Sequence, residues 1–232
     1  MQNLVVLTGA GISAESGLRT FRDSDGLWES YRIEDVATPR AWAKDPQLVL
    51  DFYNMRRRDV AKAQPNAAHN TLAALQNDFN VHIITQNIDD LHERAGSKNV
   101  LHLHGEIFKM RSARNEGLIY SIEGDILLGD KAGDGVQLRP HIVWFEEPVP
   151  MMDEASKIVK NADIFVVIGT SLAVYPAAGL IHYAPNYIPK YIVDKAIPST
   201  VGIRITAIEK PATEGAVELQ KMLLEMKQGK NV

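Results

Sequence analysis

The stretch "VLHLHGEIFKMRSARN", residues 100–115, sets His102 and His104 one residue apart, with Gly105 after the second. On a strand the two imidazoles share a face and could ligate one metal, but such a site wants three or four ligands and no third stands nearby. Two readings of His104 remain on the residues alone: a buried histidine with its hydrogen bonds satisfied, or a general base, a task that suits an imidazole because its pKa lies near working pH. In "GAGISAESG", Gly9, Gly11 and Ala14 make G-x-G-x-x-A after an apolar run. There small side chains let the backbone approach a pyrophosphate, and a following helix aims free N–H groups at it. "ITQNIDDLHERAG" crowds Gln86, Asn87 and Asp89 at the end of a strand. Asp89 or Asp90 could serve only to cap a helix, whereas two amides on a buried strand's end need partners. Gly169, Thr170 and Ser171 in "VVIGTSLAVYPAAG" repeat the design with small and hydroxyl groups before a Tyr-Pro turn into a helix. In "LDFYNMRRRD", Tyr53 and Arg56 fall at i and i+3 on one helix face, where a phenol and a guanidinium together can bind a carboxylate. Arg57 and Arg58 are expected to face solvent.

These groups need a frame. "NLVVLTG", "FNVHIITQ", "NVLHLH", "HIVWF", "DIFVVIGT", "KYIVD" and "GIRITA" read as strands, and helical periodicity fills "PQLVLDFYNMRRRDVAKAQ", "NAAHNTLAALQND", "VPMMDEASKIVKNA" and "TEGAVELQKMLLEMKQ". Apolar strands alternating with helices predict an α/β fold: a Rossmann-like, doubly wound parallel sheet covered on both faces. Residues 24–65, helical without a strand between, and 108–140, glycine- and aspartate-rich with strand-like "GLIYSI" and "DILLG", look like two insertions that pack together as a small second domain. The main domain then comprises 1–23, 66–107 and 141–232. An acidic residue about twenty positions after the glycine turn would mark a dinucleotide dehydrogenase, but "TFRDSDGLW" stands there, so hydride transfer loses ground.

The 232 residues suffice for one sizeable core, and a net charge of -4 offers no footprint for nucleic acid. No apolar run reaches the length of a membrane span, and "MQNLVVLTGAG" reads as a strand and not as a leader, so a cytoplasmic monomer is expected. The absence of cysteine excludes disulfides and thiol catalysis and removes the usual ligands of structural zinc.

Taken in order, "GAGISAESG", "TFR", "GLW", "TQNIDDLHERAG", "HLHGE", "RPHIVWF", "GTSLAVYPAAG" and "KPATEGAVEL" resemble the sirtuins, NAD-dependent protein lysine deacylases, over nearly the whole chain. The resemblance implies that NAD is consumed as co-substrate between a Rossmann-type domain and a small domain built from a helical and a zinc-ribbon insert. It places Gly9, Ala10, Gly11, Phe21 and Arg22 in the cofactor loop. It puts Gln86, Asn87, Ile88 and Asp89 around nicotinamide and its ribose, and Gly169, Thr170, Ser171, Asp194 and Ala212 toward the adenosine end. His104 becomes the general base, with Asn87 and Asp89 also catalytic. In the implied reaction the acyl-lysine carbonyl oxygen attacks the nicotinamide-bearing ribose carbon and nicotinamide leaves. The histidine takes a ribose hydroxyl proton, and free lysine and 2′-O-acyl-ADP-ribose result. Val143 and Phe145 belong to the segment that pairs with the substrate peptide. Tyr53 and Arg56 resemble the Tyr-x-x-Arg feature of the class that removes malonyl, succinyl or glutaryl groups, so acylated protein lysines are the expected partners. A protein mono-ADP-ribosyltransferase and a non-catalytic NAD or ADP-ribose reader are the competing functions.

Three departures stand out. Ser112, Asn115 and Ala132 fall where zinc cysteines belong, so no zinc is predicted, and the insert is expected to be held by Ile107, Leu118, Ile119, Ile122, Ile126 and Leu127. Glu146 occupies a glycine's place in the peptide-binding segment, where bulk and charge could reach the substrate or point to solvent. Asp194 stands where an asparagine is usual, which could weaken NAD affinity.

Overall fold

The computed structural model describes residues 1–19, 27–28, 31–198 and 204–229. In chain order its strands are β1 (Asn3–Thr8), β2 (Leu27–Trp28), β3 (Tyr31–Arg32), β4 (Asn80–Thr85), β5 (Val100–His102), β6 (Gly105–Ser112), β7 (Ile119–Ser121), β8 (Leu138–Ile142), β9 (Ile164–Ile168), β10 (Lys190–Asp194) and β11 (Thr206–Glu209). The α-helices are α1 (Ile33–Val36), α2 (Pro39–Lys44), α3 (Pro46–Lys62), α4 (Ala67–Ala74), α5 (Leu91–Arg94), α6 (Met152–Lys160) and α7 (Ala212–Lys227).

Six strands form one sheet in the order β11-β10-β9-β1-β4-β5, every neighbouring pair parallel. Side chains alternate across a strand, and both faces are apolar here. Leu4, Val6, Ile164 and Val166 pack on one side with Leu72 of α4 and Leu219 and Leu223 of α7. Val5, Leu7, Phe165 and Val167 pack on the other with Ala155 and Val159 of α6 and Leu180 of the 3-10 turn Ala177–Tyr183. Two covered faces explain why these strands carry no polar alternation. The sheet is therefore the expected doubly wound one.

Helix starts follow the Thr-Pro and Asp-Pro pairs. Thr38 accepts from Ala41 N ahead of Pro39, and Asp45 accepts from Leu48 N ahead of Pro46, so each helix begins with a capped donor and a preset φ.

Several expectations are corrected. "HIVWF" does not join the parallel sheet: its strand is β8, which ends at Ile142 and pairs antiparallel with β6 in a three-stranded sheet of order β7-β6-β8. As an edge strand β8 tolerates Pro140, and an apolar run alone cannot say which sheet it will join. "DILLG" is a turn closed by Asp130, whose carboxylate accepts from Leu127 N, and Leu127 and Leu128 are exposed. The last parallel strand lies at Thr206–Glu209, later than "GIRITA" suggests. Among the described residues β1 runs into 3-10 turns at Ala10–Ile12 and Ala14–Ser16 that end on Gly17 with φ 87°, and not directly into an α-helix. Likewise the Tyr-Pro turn leads into the 3-10 segment Ala177–Tyr183.

The two insertions pack on each other. Leu50 of α3 joins Ile126, Ala132 and Leu138 in one buried cluster, with Trp42, Leu118 and Ile122 against it. Ile107 and Ile126 are buried, as expected of insert anchors, but Ile119 and Leu127 are exposed and anchor nothing. Arg57 overturns its expected exposure. It is 1% exposed, and it donates to Ile107 O at 2.8 Å, Asn54 Oδ1 at 2.8 Å and Gly124 O at 3.2 Å. Burial brings its pKa down to about 10, which leaves the guanidinium charged at neutral pH. Its five donors suit it to a site lined by carbonyl oxygens. Arg58 is half exposed and pairs with Asp125 at 2.7 Å. Among the described residues no helix is long and apolar enough to cross a membrane.

Candidate active site

One cavity gathers residues from the carboxyl ends of β1, β4 and β9, from helix α3, and from the segment after β8. Its lining includes Gly9, Ala10, Gly11, Gln86, Asn87, Ile88, Asp89, His104, Gly169, Thr170 and Ser171, together with Tyr53, Arg56, Val143 and Phe145. The carboxyl edge of a parallel sheet is where doubly wound folds bind ligands, because the strand order reverses there and the loops part. Of the remaining expected residues, Asp194 ends β10 and Ala212 opens α7, both buried and away from the cavity wall. Asp194 Oδ1 accepts from Ala196 N at 3.0 Å. Phe21 and Arg22 lie outside the described residues.

The glycines also meet a packing demand that their spacing does not reveal. A Cβ on Gly11 would lie 2.7 Å from Gly169 Cα, and one on Gly9 would lie 2.6 Å from Thr170 Cβ. Gly11 N donates to Gly169 O at 2.8 Å, and Gly169 itself sits at φ 66°. Small residues are thus required for the first loop to interlock with the loop after β9, and the N–H of Gly11 is already spent on that contact.

Gln86, Asn87 and Asp89 are held in a network. Gln86 Nε2 donates to Thr170 Oγ1 at 3.1 Å. Asn87 Nδ2 donates to Gly9 O at 3.2 Å and to Ser13 Oγ at 3.1 Å, and Ser13 Oγ donates to Asp89 Oδ2 at 3.0 Å. Asp89 also accepts from Leu91 N at 3.2 Å, a turn bond made just ahead of α5, whose N-cap is Asp90 with no side-chain cap bond. Burial raises the Asp89 carboxyl, against the pull of the Leu91 and Ser13 hydrogen bonds. Ser13, Arg19 and Trp144 also line the cavity and were not picked out from the sequence. A serine inside a glycine-rich turn was the available sign for Ser13.

His104 is not within a strand. It follows β5, and its Nδ1 lies 2.9 Å from Gln86 O. A carbonyl only accepts, so Nδ1 carries the proton and Nε2 keeps its lone pair. Among the described residues no hydrogen bond reaches Nε2. Burial pushes the ring below its ordinary pKa, only partly offset by the Gln86 contact, so it is neutral at physiological pH. That is the protonation state a base needs. Among the described residues no three histidine, aspartate or glutamate side chains gather as a metal site.

On the opposite wall Tyr53 is 1% exposed and Arg56 is 5% exposed. Burial drives the Tyr53 phenol above its ordinary pKa, partly opposed by Arg139, so it stays a donor. The segment after β8 is braced from behind. Arg139 pairs with Glu147 at 2.8 Å and lies 3.2 Å over the Trp144 ring, and Trp144 N donates to the same carboxylate at 2.8 Å. Val143 N donates to His104 O at 2.9 Å and Phe145 N to Ala37 O at 3.0 Å. Glu146 adopts φ 73°, the region that favours glycine, and its carboxylate is ion-paired with Arg40.

The donor atoms at the positions expected of zinc cysteines do not fit a thiolate site. Ser112 Oγ donates to Asp134 at 2.7 Å and accepts from Arg114 N and Asn115 N, while Ala132 offers no ligand atom.

Comparison with known proteins gives four matches of note. A family model described as the Sir2 family matches residues 9–176. Over 231 residues the chain is 52% identical to a protein of Bacteroides thetaiotaomicron named NAD-dependent protein deacylase, covering 97% of this chain and 99% of that one. Among solved structures it is similar to a mutant Sir2 homologue in complex with ADP ribose, at a TM-score of 0.88 and 38% identity over 99% of this chain and 95% of that one. It is also similar to a Sir2 homologue in complex with NAD, at 0.86 and 40% over 97% and 90%.

Proposed function

The chain belongs to the Sir2 family, and from that premise we propose that it is an NAD-dependent protein lysine deacylase that prefers malonyl, succinyl or glutaryl groups over acetyl. The observation that carries this reading is the neutral His104, with its proton fixed on Nδ1 by Gln86 O, in one cavity with Tyr53 and Arg56.

The cavity suits the cofactor by its chemistry. Interlocked small residues, the amides of Gln86 and Asn87, the Ser13 hydroxyl and the Asp89 carboxylate stand on one wall, a mixture that matches ribose hydroxyls and a carboxamide. Bound NAD would supply a ribose with a departing nicotinamide and hydroxyls able to receive the acyl group. Gly9, Ala10 and Gly11 would hold it with Gln86, Asn87, Ile88 and Asp89. Gly169, Thr170 and Ser171 complete that wall, Asp194 and Ala212 would stand behind it toward the adenosine end, and Phe21 and Arg22, outside the described residues, would join the cofactor side. His104 Nε2 accepts a proton from a hydroxyl, and burial keeps the ring neutral until it does. Asn87 and Asp89, cross-linked through Ser13, are positioned to orient the reacting ribose. Tyr53 donates a hydrogen bond and Arg56 a charge-assisted pair to a terminal carboxylate on the acyl group, which an acetyl group lacks. Val143 and Phe145 form the shelf for the acylated lysine's backbone.

The domain reading goes with this function: residues 1–23, 66–107 and 141–232 bind NAD, and 24–65 with 108–140 form the second unit. The buried bonds of Arg57 support the pairing of the two insertions, and β6 and β8 run across the boundary. The second unit holds together without zinc through Arg57, Asn54 and the Ser112–Asp134 contact. The working state is a monomer in the cytoplasm without nucleic-acid or membrane partners.

Incubation with NAD and a succinyl-lysine peptide, followed by mass spectrometry, tests the reading. Free lysine peptide and succinyl-ADP-ribose are expected. A mass gain on protein instead identifies an ADP-ribosyltransferase, and NAD binding without product identifies a reader.

A further inference from the structure

His102 is an imidazole that the proposed reaction leaves without a task. It closes β5 with its side chain 8% exposed, Nδ1 3.1 Å from Asn87 O and Nε2 2.7 Å from Glu93 Oε1. Neither partner donates. A carbonyl oxygen and a carboxylate both only accept, so a neutral ring, with one N–H, would turn a lone pair on one of them. The imidazolium alone satisfies both. Two residues on, His104 meets one acceptor and needs one proton. The pair therefore divides its labour: one ring whose two acceptors call for the charged form and one neutral, each aimed at the carbonyl of a successive residue, Asn87 and Gln86. Other bonds fix the flanks of this segment, Asn87 N on Thr85 Oγ1 at 3.0 Å and Ile107 N on Ile88 O at 2.8 Å. His102 is the group that holds the Asn87 carbonyl.

We infer that His102, as an imidazolium paired with Glu93, is a positioning residue that clamps the Asn87 carbonyl and so presents Asn87 and Asp89 to the cofactor. This rests on the deacylase reading for what the cofactor does, and on the hydrogen bonds alone for the clamp. The surroundings agree. Burial lowers the His102 pKa, but the Glu93 hydrogen bond and charge, with Glu106, raise it above its ordinary value. The groups facing the ring are Glu93 and His92 from α5, Asp89 from the clamped segment and Glu106 from β6, the last itself paired with Lys109 at 2.7 Å.

Two substitutions separate a clamp from mere packing. The amide nitrogen of asparagine falls near the position of Nδ1 and that of glutamine near Nε2, so His102→Asn keeps a donor for Asn87 O while His102→Gln keeps only the Glu93 contact. NAD affinity measured by calorimetry should fall about ten-fold in His102→Gln and stay within about two-fold of the parent in His102→Asn, with turnover following the same order. Equal affinity in all three proteins, or equal loss in both variants in step with their melting temperatures, overturns the clamp. Nitrogen NMR on the unaltered protein at about pH 7 gives an independent reading. Both His102 nitrogens should be protonated, and a bare nitrogen on that ring overturns the charge assignment. A parent protein that binds NAD yet transfers no acyl group sinks the deacylase reading alone, since calorimetry and NMR still decide the clamp.

Discussion

Asn54 and Ile126 exchange two hydrogen bonds across the insertions: Asn54 Nδ2 donates to Ile126 O at 2.9 Å, and Ile126 N donates to Asn54 Oδ1 at 3.0 Å. One side chain thus closes a loop against α3 as a paired strand would. Asn54→Leu leaves a buried N–H and C=O unsatisfied, and it also removes the Arg57 contact to Oδ1. A loss of about 3 kcal/mol is expected from denaturant unfolding, since each orphaned group costs roughly 1–3 kcal/mol. Chelation should leave the unfolding midpoint of the parent unchanged, and a midpoint that drops with chelator contradicts a metal-free insert.

As the proposed base, His104 should set the acid limb of activity. Its folded pKa is depressed below the ordinary 6.5, so the neutral, active ring persists as pH falls past that value, and activity is lost only as pH falls through the lower folded value. The acid limb of kcat should therefore lie below the limb of a free imidazole. His104→Ala should lower kcat by about 10²–10⁴-fold, the usual worth of a general base. An acid limb at or above 6.5 would contradict the buried neutral ring.

Arg56→Met preserves much of the bulk at the cavity wall and removes the charge. With a succinyl-lysine peptide kcat/KM should fall about ten- to hundred-fold, the worth of a charged hydrogen bond, while acetyl-lysine turnover changes little. Retention of the succinyl preference in this variant would assign the selectivity elsewhere.

Glu146 holds a backbone shape that costs most side chains about 1–3 kcal/mol. Its ion pair with Arg40 is exposed and worth below about 1 kcal/mol. Glu146→Gly should accordingly raise the melting temperature, and Arg40→Ala should lower it only slightly. If Glu146 also narrows the way to the substrate shelf, the glycine variant will show a lower KM for peptide, and an unchanged KM would place the side chain clear of the substrate.

The parallel sheet was legible because it depends on local pattern, the apolar runs of β1 and β9. The wall residues Gln86, Asn87, Asp89 and His104 were legible from polar groups placed at strand ends. Arg57 was not, because its partners are the carbonyls of Ile107 and Gly124, remote in sequence and invisible as residue types. The sheet joined by β8 was hidden for the same reason, since an apolar strand does not name its neighbour. The glycine turn shows a subtler limit. The pattern at Gly9 and Gly11 was found, but the contact that demands it is the chain at Gly169 as well as any ligand.

The guanidinium of Arg57 also constrains the order in which the protein can assemble. Synthesis delivers α3 long before residues 107 and 124 exist, so the cation must wait hydrated while the 67 positions that separate Arg57 from Gly124 are made. Only after Gly124 has left the ribosome can the helix lock, which makes closure of this unit a late, non-local event exposed to the slow search that distant contacts require.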